Sequence, residues 1–194
     1  MDKKIRENNL PKISMALVGT FLISSILTLA IPKFGDCVLL YPSNLREPLS
    51  WYRLLTYPFY VGGLIPWFHN ALVILLTGYI IEKRISRKDL IGLIILSCLI
   101  GGFLYILFNQ GDIYDTPMAS PTMISWGYWS AAIVIGLKIW KNLSKAEKVI
   151  MLLCFASILS AWDENLGFFI GQLSVILIIA ILTLIRKGKD KNSS

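Results

Sequence analysis

The chain has 194 residues, of which 55% are hydrophobic and 16% are charged, and its formal net charge is +7. Soluble domains are less apolar and carry more charge, so the composition argues against a water-soluble protein. The cations are dispersed between apolar blocks and do not form one basic face, which argues against nucleic-acid binding. We therefore expect an all-α membrane protein.

Six apolar blocks follow one another along the chain. A hydrocarbon core of about 30 Å needs roughly 20 helical residues, and five of the blocks approach that length while the fifth is short. The blocks predict six membrane-spanning helices in one membrane domain at 13–185, with a tail at 1–12 and a basic tail at 186–194. They occupy residues 13–31, 64–81, 90–108, 122–139, 149–162 and 166–185.

The lysines and arginines predict the orientation of the chain. If the N-terminus lies in the cytoplasm, all of them except Lys33, Arg46 and Arg53 fall in the segments on the cytoplasmic side of the spans. Because cytoplasmic loops are enriched in these residues, we expect both termini in the cytoplasm. The first block is too long for a signal-peptide core, so we interpret it as a retained span. The short chain without added soluble domains favours a bacterial plasma membrane.

The segment at 32–63 is the first outer connection, and it is too apolar for a free loop. Its aromatic residues predict that it lies at the membrane interface, where rings with polar edges are favoured. Of the three cysteines, Cys37 lies in this segment, while Cys98 and Cys154 fall within spans. This distribution indicates neither a disulfide framework nor a metal site, and we expect no cofactor.

Several motifs follow the chain in a recognisable order. Residues 51–59 read WYRLLTYPF and contain Trp51 and Arg53, and the second span contains Asn70. Its inner end, at 78–84, reads GYIIEKR, which includes Glu82 and Arg84. The later motifs are Gly101-Gly102 in the third span, PTMISWG at 121–127 and ENLGFFIG at 164–171.

Over residues 51–172 these motifs resemble the rhomboid superfamily of intramembrane serine peptidases. The resemblance implies a six-transmembrane-helix bundle with an interfacial first outer loop. It also implies a serine nucleophile at the start of the fourth span and a histidine base in the sixth. A base is needed because a hydroxyl is a weak nucleophile until its proton is taken, and the resulting oxyanion needs hydrogen-bond donors.

The sequence departs from this pattern at the catalytic positions. Aligned on the flanking proline and glycines, the nucleophile position is Trp126 and the base position is Glu164. Pro66 stands where the family has a histidine in the second span. Only Asn70, which the resemblance makes an oxyanion-hole candidate, is retained.

Three other residues are fallback candidates for catalysis. Ser125 precedes Trp126, but one helical step rotates a side chain by about 100°, so we expect it to leave the catalytic face. Ser130 shares the face of Trp126 roughly 6 Å deeper, and we expect its hydroxyl to bond back to its own helix. His69 is the only histidine, and a lone histidine in a span is more often a polar contact or lines a water-filled cavity. Glu164 would be a poor base, since a solvated glutamate has a pKa of about 4.3.

Small residues predict close packing between the fourth and sixth spans. Gly127 with Ala131 forms one small-xxx-small face, and Gly167 with Gly171 forms another. Trp126 would fill the space at the outer end of this seam, where a scissile bond would otherwise lie.

The remaining polar residues have structural interpretations. We expect Arg53 to bond to carbonyls of the outer segment, and Glu82 beside Arg84 to cap the second span or pair with the following loop. Gln172 is expected to hydrogen-bond to a neighbouring helix, because a polar amide facing lipid is costly. Glu164 lies at the outer mouth, where a solvated charge is expected.

The leading hypothesis is a catalytically inactive rhomboid-like protein, a pseudoprotease, that binds transmembrane segments of client proteins. Its other partners are membrane lipids, and its oligomeric state is left open. The alternative is an active intramembrane serine endopeptidase that uses Ser125 or Ser130. A transporter is disfavoured, because the spans contain few ionisable groups beyond His69.

Overall fold

The computed structural model describes residues 10–61, 63–111, 114–159 and 166–191. This part of the chain is all-α, and its six long helices coincide with the six apolar blocks. Three of them, α1 to α3, are long and apolar enough to cross a membrane, and α6 contains a shorter apolar stretch at Phe169–Ile185. The long helices are α1 (Lys12–Ala30), α2 (Leu64–Ile81), α3 (Arg87–Phe108), α4 (Thr122–Lys138), α5 (Lys145–Leu159) and α6 (Leu166–Lys191).

The distribution of side chains is the inverse of that in a soluble protein. Large apolar residues cover the outside, and Leu29 and Ile65 are 84% and 85% exposed. The interior contains small hydroxyl and amide side chains, including Ser14, Thr77 and Ser97. In lipid, apolar surface can remain outside, whereas polar groups must find partners within the protein. The structure is therefore a bundle suited to a bilayer.

Helix α4 forms the centre of the bundle. It contacts α2, α3, α5 and α6, and twelve of its seventeen residues are buried. Its small residues allow this crowding, since a Cβ added at Gly136 would lie 2.8 Å from Met151 of α5. These contacts join α4 to helices that are far from it in sequence. Helix α4 therefore fixes the positions of the other helices.

The fourth and sixth spans pack side by side, but their glycines do not pair with each other. A Cβ added at Gly127 would overlap Ser97 of α3. At Gly171 an added Cβ would lie 3.2 Å from the carbonyl oxygen of Gly101, which is also in α3. The predicted packing of the two spans is confirmed, and a Cβ at Gly171 would also lie 3.0 Å from Met123 of α4. The small-residue faces do not pair directly, because α3 takes the space beside Gly127 and shares the space beside Gly171. Gly167 lies in the first turn of α6.

The outer segment between α1 and α2 folds against α3. It contains short helices at Pro32–Val38 and Arg53–Thr56. The buried hydroxyl of Tyr57 donates a hydrogen bond to the carbonyl of Cys98, at 3.2 Å. Gly102 provides room for this contact, since a Cβ there would lie 2.9 Å from the Tyr57 ring and 3.0 Å from Leu40. The outer segment is thus held to the bundle.

Arg53 holds the outer segment together internally. One guanidinium nitrogen donates to the carbonyl of Leu39, at 2.9 Å, and the group lies 5.8 Å from the ring centroids of both Tyr41 and Tyr52. Trp51 is half exposed and lines a small apolar cavity against Phe103 of α3. The two motif residues therefore have architectural contacts.

The outer segment is also joined to the connection between α3 and α4. Leu40 and Met118 exchange two backbone hydrogen bonds, at 3.2 and 2.7 Å. The carboxylate of Asp115 accepts hydrogen bonds from the amide and the hydroxyl of Ser43, at 2.9 and 2.7 Å. This pairing closes the end of the bundle at which α4 begins.

Glu82 and Arg84 connect helices at the opposite end, which we call the basic end because Lys12, Lys83 and Lys88 also lie there. Glu82 accepts hydrogen bonds from the amide and hydroxyl of Ser14, at 2.7 and 2.6 Å, and from the amide of Ile13. Its side chain therefore caps α1, while its backbone amide donates to the carbonyl of Gly78, so Glu82 also forms the expected C-cap of the second span. The local motif contained no signal for a partner so far away in sequence.

Arg84 joins α2 to α5. It donates to the carbonyl of Ile80 and forms an ion pair of 2.7 Å with Glu147, which precedes the apolar part of α5. Burial raises the pKa of Glu147, but hydrogen bonds from Ser144 and the charge of Arg84 outweigh burial, so the pKa lies below its ordinary value. Glu147 is therefore bound as a carboxylate.

The packing at Gly102 can be tested by one added methyl group. Gly102→Ala should lower the free energy of unfolding by about 1–3 kcal/mol, because Tyr57 and Leu40 must move. The measurement is detergent-induced unfolding in mixed micelles. Gly92→Ala is the matched control, since it lies in the same helix and an added Cβ there meets nothing within 4 Å. Equal effects of the two substitutions would contradict the packing described.

The Arg84–Glu147 pair predicts a pH dependence of stability. Because the folded-state pKa of Glu147 is lowered, its contribution is complete above the unfolded-state pKa of about 4.3 and is lost as the pH falls through the folded-state pKa. Glu147→Gln should cost about 2 kcal/mol of unfolding free energy at neutral pH, and less in acid. Unfolding followed across acidic pH checks this, with the exposed Glu47→Gln as the control. A loss that does not change with pH would refute it.

Candidate functional site

Helices α2 and α4 bring Asn70 and Ser125 together inside the bundle. The Ser125 hydroxyl lies 2.6 Å from the side-chain oxygen of Asn70, and both residues are buried. The Asn70 side-chain nitrogen donates to the carbonyl of Pro66, one turn earlier, at 2.9 Å. Pro66 is tolerated because it lies in the first turn of α2, where its missing amide has no helical partner. The two buried polar side chains are thus in direct contact.

The Pro66 carbonyl determines which way the Asn70 amide points. A carbonyl can only accept a hydrogen bond, so the atom that faces it must be the amide nitrogen. The amide oxygen therefore faces Ser125, whose hydroxyl donates to it. An oxyanion hole needs an N–H group aimed at the reacting oxygen. Asn70 instead directs an acceptor at the neighbouring hydroxyl.

Ser125 contacts the retained asparagine, whereas the sequence predicts Trp126 at the nucleophile position. The expectation that Ser125 turns away from this face is wrong, because the face of α4 that contacts Asn70 is the face of Ser125. Trp126 is buried, and its ring packs edge-on against Trp129 with the centroids 5.8 Å apart. Its indole carries no group that could be acylated. The aligned position is therefore filled by a packed aromatic side chain.

The other two fallback residues lie apart from this pair. The Ser130 hydroxyl donates to the carbonyl of Ile176 in α6, at 2.7 Å, so the expectation of a bond to its own helix is wrong. His69 is half-buried beside Asn70 in sequence. In the part of the chain that the structure describes, no hydrogen bond joins His69 to Ser125. Glu164, the aligned base position, and Asp163 beside it lie outside the described residues.

Two contacts fix the register between α4 and α6. Ser130 donates to Ile176, and the Lys138 ammonium lies 3.5 Å from the carbonyl of Leu184, which it can reach as a donor. Both pairs are 46 residues apart in the sequence. A constant offset means that the two helices run parallel and in step. The register can therefore be extended by one turn, from Ser130 to Trp126.

That extension places Gln172 of α6 at the level of Trp126 of α4. Gln172 is 4% exposed, and its amide nitrogen has no hydrogen-bond partner among the described residues. The expectation that it bonds to a neighbouring helix is therefore not met at this nitrogen. A buried unpaired amide in a membrane bundle is costly. The Gln172 side-chain nitrogen is thus a donor without a partner among the described residues, at the level of Trp126. The sequence feature that places it there is its spacing of four residues from Ile176.

Within the described part of the chain, the buried polar pair at this site is Ser125 and Asn70. A general base must lie within hydrogen-bond reach of the hydroxyl that it activates, about 2.6–3.2 Å away. At that distance Ser125 has an amide oxygen, which does not take up a proton at neutral pH. Among the described residues, the nearest partner of the Ser125 hydroxyl is therefore an amide oxygen, which is not a general base.

Comparison with known proteins identifies the family. A model of the Rhomboid domain matches residues 48–182, and no curated protein matches the chain. The matched residues include half of the outer segment, α2 to α5 and most of α6, and they contain Asn70, Ser125 and Gln172. With its apolar span-length helices, the molecule is a multi-pass integral membrane protein. The matched range is more than half of the chain, and the chain therefore belongs to the rhomboid family.

Proposed function

We propose that the protein is a catalytically inactive member of the rhomboid family that binds membrane-spanning segments of other proteins. The observation that carries this proposal is the hydrogen bond from Ser125 to the amide oxygen of Asn70. In this hydrogen bond, Ser125, the serine closest to the predicted nucleophile position, is paired with an amide oxygen, which cannot act as a base. The bond also turns the retained asparagine away from the role of an oxyanion donor.

The residues at the aligned catalytic positions support the same conclusion. Trp126 cannot form an acyl intermediate, and its buried ring takes up room that a substrate backbone would need. Glu164 replaces the histidine, and a carboxylate in water is a weak base for a hydroxyl. In this proposal, both the nucleophile and the general base of the family's catalytic pair are therefore replaced.

The proposed topology has six crossings with both termini in the cytoplasm. Helix α4 has 17 residues, which corresponds to a length of about 26 Å, close to the thickness of a hydrocarbon core. The basic end carries the cations that the inside-positive rule assigns to the cytoplasm. The outer segment, with half-exposed Trp51 and Tyr52, would lie at the opposite interface. A bacterial plasma membrane fits this arrangement.

Binding of client segments follows from what the bundle keeps when catalysis is lost. Helices associate in lipid through close packing and interhelical hydrogen bonds. The exposed faces of the bundle offer apolar side chains such as Ile65, Phe68 and Leu72 along α2. Spaced by three and four residues, they form one stripe on which a client helix can pack. The partner class is therefore a single membrane-spanning helix.

An activity assay tests the absence of catalysis. The purified protein is incubated with a fluorophosphonate probe and with a single-span substrate of an active rhomboid peptidase. We expect background labelling and no cleavage, because Ser125 has no base within reach. Ser125→Ala and Ser130→Ala serve as matched variants and should behave as the unmodified protein does. Labelling with cleavage that one of these substitutions abolishes would refute the proposal.

The same experiment addresses the alternative, an active endopeptidase with a displaced nucleophile. The contact between Ser125 and Asn70 favours Ser125 over Ser130 in that case, because an oxyanion-hole residue must lie beside the nucleophile. A rotated Asn70 amide would then be required. Loss of activity in Ser125→Ala alone would support this alternative.

A separate measurement tests client binding. Cys37 is exposed while Cys98 and Cys154 are buried, so a donor fluorophore can be attached at Cys37 without substitutions. In liposomes, we expect energy transfer to an acceptor-labelled polyleucine–alanine single-span peptide, and unlabelled peptide should reduce it by competition. A donor-labelled peptide in place of the protein is the control for random proximity. Transfer no higher than in that control would contradict client binding.

A further inference from the structure

A cavity of about 450 Å³ lies at the basic end between α3, α4 and α6. Its volume falls within the range of about 300–1,000 Å³ that is typical of small-molecule sites. None of the residues already assigned to the Ser125–Asn70 site lines it. Its lining comes from the start of α3, the second half of α4, the last turns of α6 and the connection between α2 and α3.

The cavity opens toward the lipid-facing surface of the bundle. Its floor is formed by Ala131 and Ile135 of α4, which are 1% and 0% exposed. On its sides, Leu96 of α3 and Leu182 of α6 are 37% and 45% exposed. Because the floor is closed and both sides reach the surface, the opening lies between α3 and α6. Gly92 borders this space, since a Cβ added there meets no atom within 4 Å.

The cavity changes from polar to apolar along its length. At the end of the bundle it is lined by Arg84, Lys88 and Asp89, and Lys88 is exposed there. Arg84 is already paired with Glu147, and Asp89 also has a partner. Among the described lining residues, Lys88 is therefore the principal cation available to a ligand. Farther inside, the lining consists of leucine, isoleucine and alanine side chains. A matching ligand has a negatively charged end and a hydrocarbon end.

We propose that this cavity binds an anionic phospholipid from the leaflet at the basic end. The phosphate lies at Lys88 and one acyl chain occupies the gap between α3 and α6. Basic pockets between membrane helices are known to bind anionic lipid headgroups. A nucleotide is a poorer match, because none of the described lining residues is aromatic and a base would have no ring to stack on. The site does not depend on whether the protein is a peptidase.

The test is lipid retention measured by native mass spectrometry. The full-length protein is exchanged into detergent with equal amounts of phosphatidylglycerol and phosphatidylcholine. We expect one retained phosphatidylglycerol, about fivefold more abundant than retained phosphatidylcholine, since one basic residue near the surface contributes roughly that factor.

Two pairs of variants locate the site. Lys88→Glu should remove the preference for phosphatidylglycerol, whereas Lys141→Glu makes the same change in net charge on an exposed lysine outside the cavity and should retain it. Gly92→Leu should reduce retention of both lipids by filling the cavity. Gly19→Leu, at a position in α1 that is equally free of neighbours, should not.

Three outcomes would overturn the proposal. The first is equal retention of the two lipids by the unmodified protein, and the second is an equal response of each variant and its control. The third is displacement of phosphatidylglycerol by inorganic phosphate at the same concentration, which would show a site for a soluble anion. Retention that is selective, competed by short-chain phosphatidylglycerol and lost in both Lys88→Glu and Gly92→Leu would establish the lipid site.

Discussion

The close approach of helices around α4 is the constraint on which the rest of the structure depends. Lipid provides no hydrophobic drive for helix association, so contact area and interhelical hydrogen bonds must hold the bundle together. Glycine makes that approach possible at Gly127 beside Ser97 of α3 and at Gly136 beside Met151 of α5. Once α4 is enclosed, its hydroxyl groups must find partners inside the protein. Ser125 then bonds to α2 and Ser130 to α6.

The positions of the helices could be predicted from the sequence, whereas the directions of their side chains could not. The length of an apolar block is set by the thickness of the bilayer that it crosses. The second apolar block, for example, coincides with helix Leu64–Ile81. A helix that is apolar on all sides has no polar stripe from which its rotation could be inferred. The sequence therefore predicts that Gly127 packs against the sixth span, whereas in the structure it faces Ser97 of the third. The polar partners were missed for a related reason, since Glu82 and Ser14 are distant in sequence.

At the candidate site, the motifs predicted the family and the depth of the important residues. They identified Asn70 and the segment around Ser125 and Trp126, because prolines and glycines anchor the alignment there. They did not predict that Ser125 meets Asn70, since an alignment assigns residues to positions and leaves the rotation of the helix open. This contact matters chemically, because the Ser125 hydroxyl donates its hydrogen bond to the Asn70 amide oxygen. If the protein is inactive, as we propose, its inactivity involves the orientation of the retained Asn70 amide as well as the residues at the two catalytic positions.

The cap that Glu82 forms on α1 has a consequence for how the protein is made. The amide of Ile13 and its carboxylate partner are 69 residues apart, so the first helix leaves the ribosome long before its cap is synthesised. Until then, water must satisfy those amides, which holds that end of α1 at the membrane surface. The cap on α1 can form only after Glu82, at the end of the second long helix, has been synthesised. Biogenesis of the bundle would therefore begin with a two-helix unit.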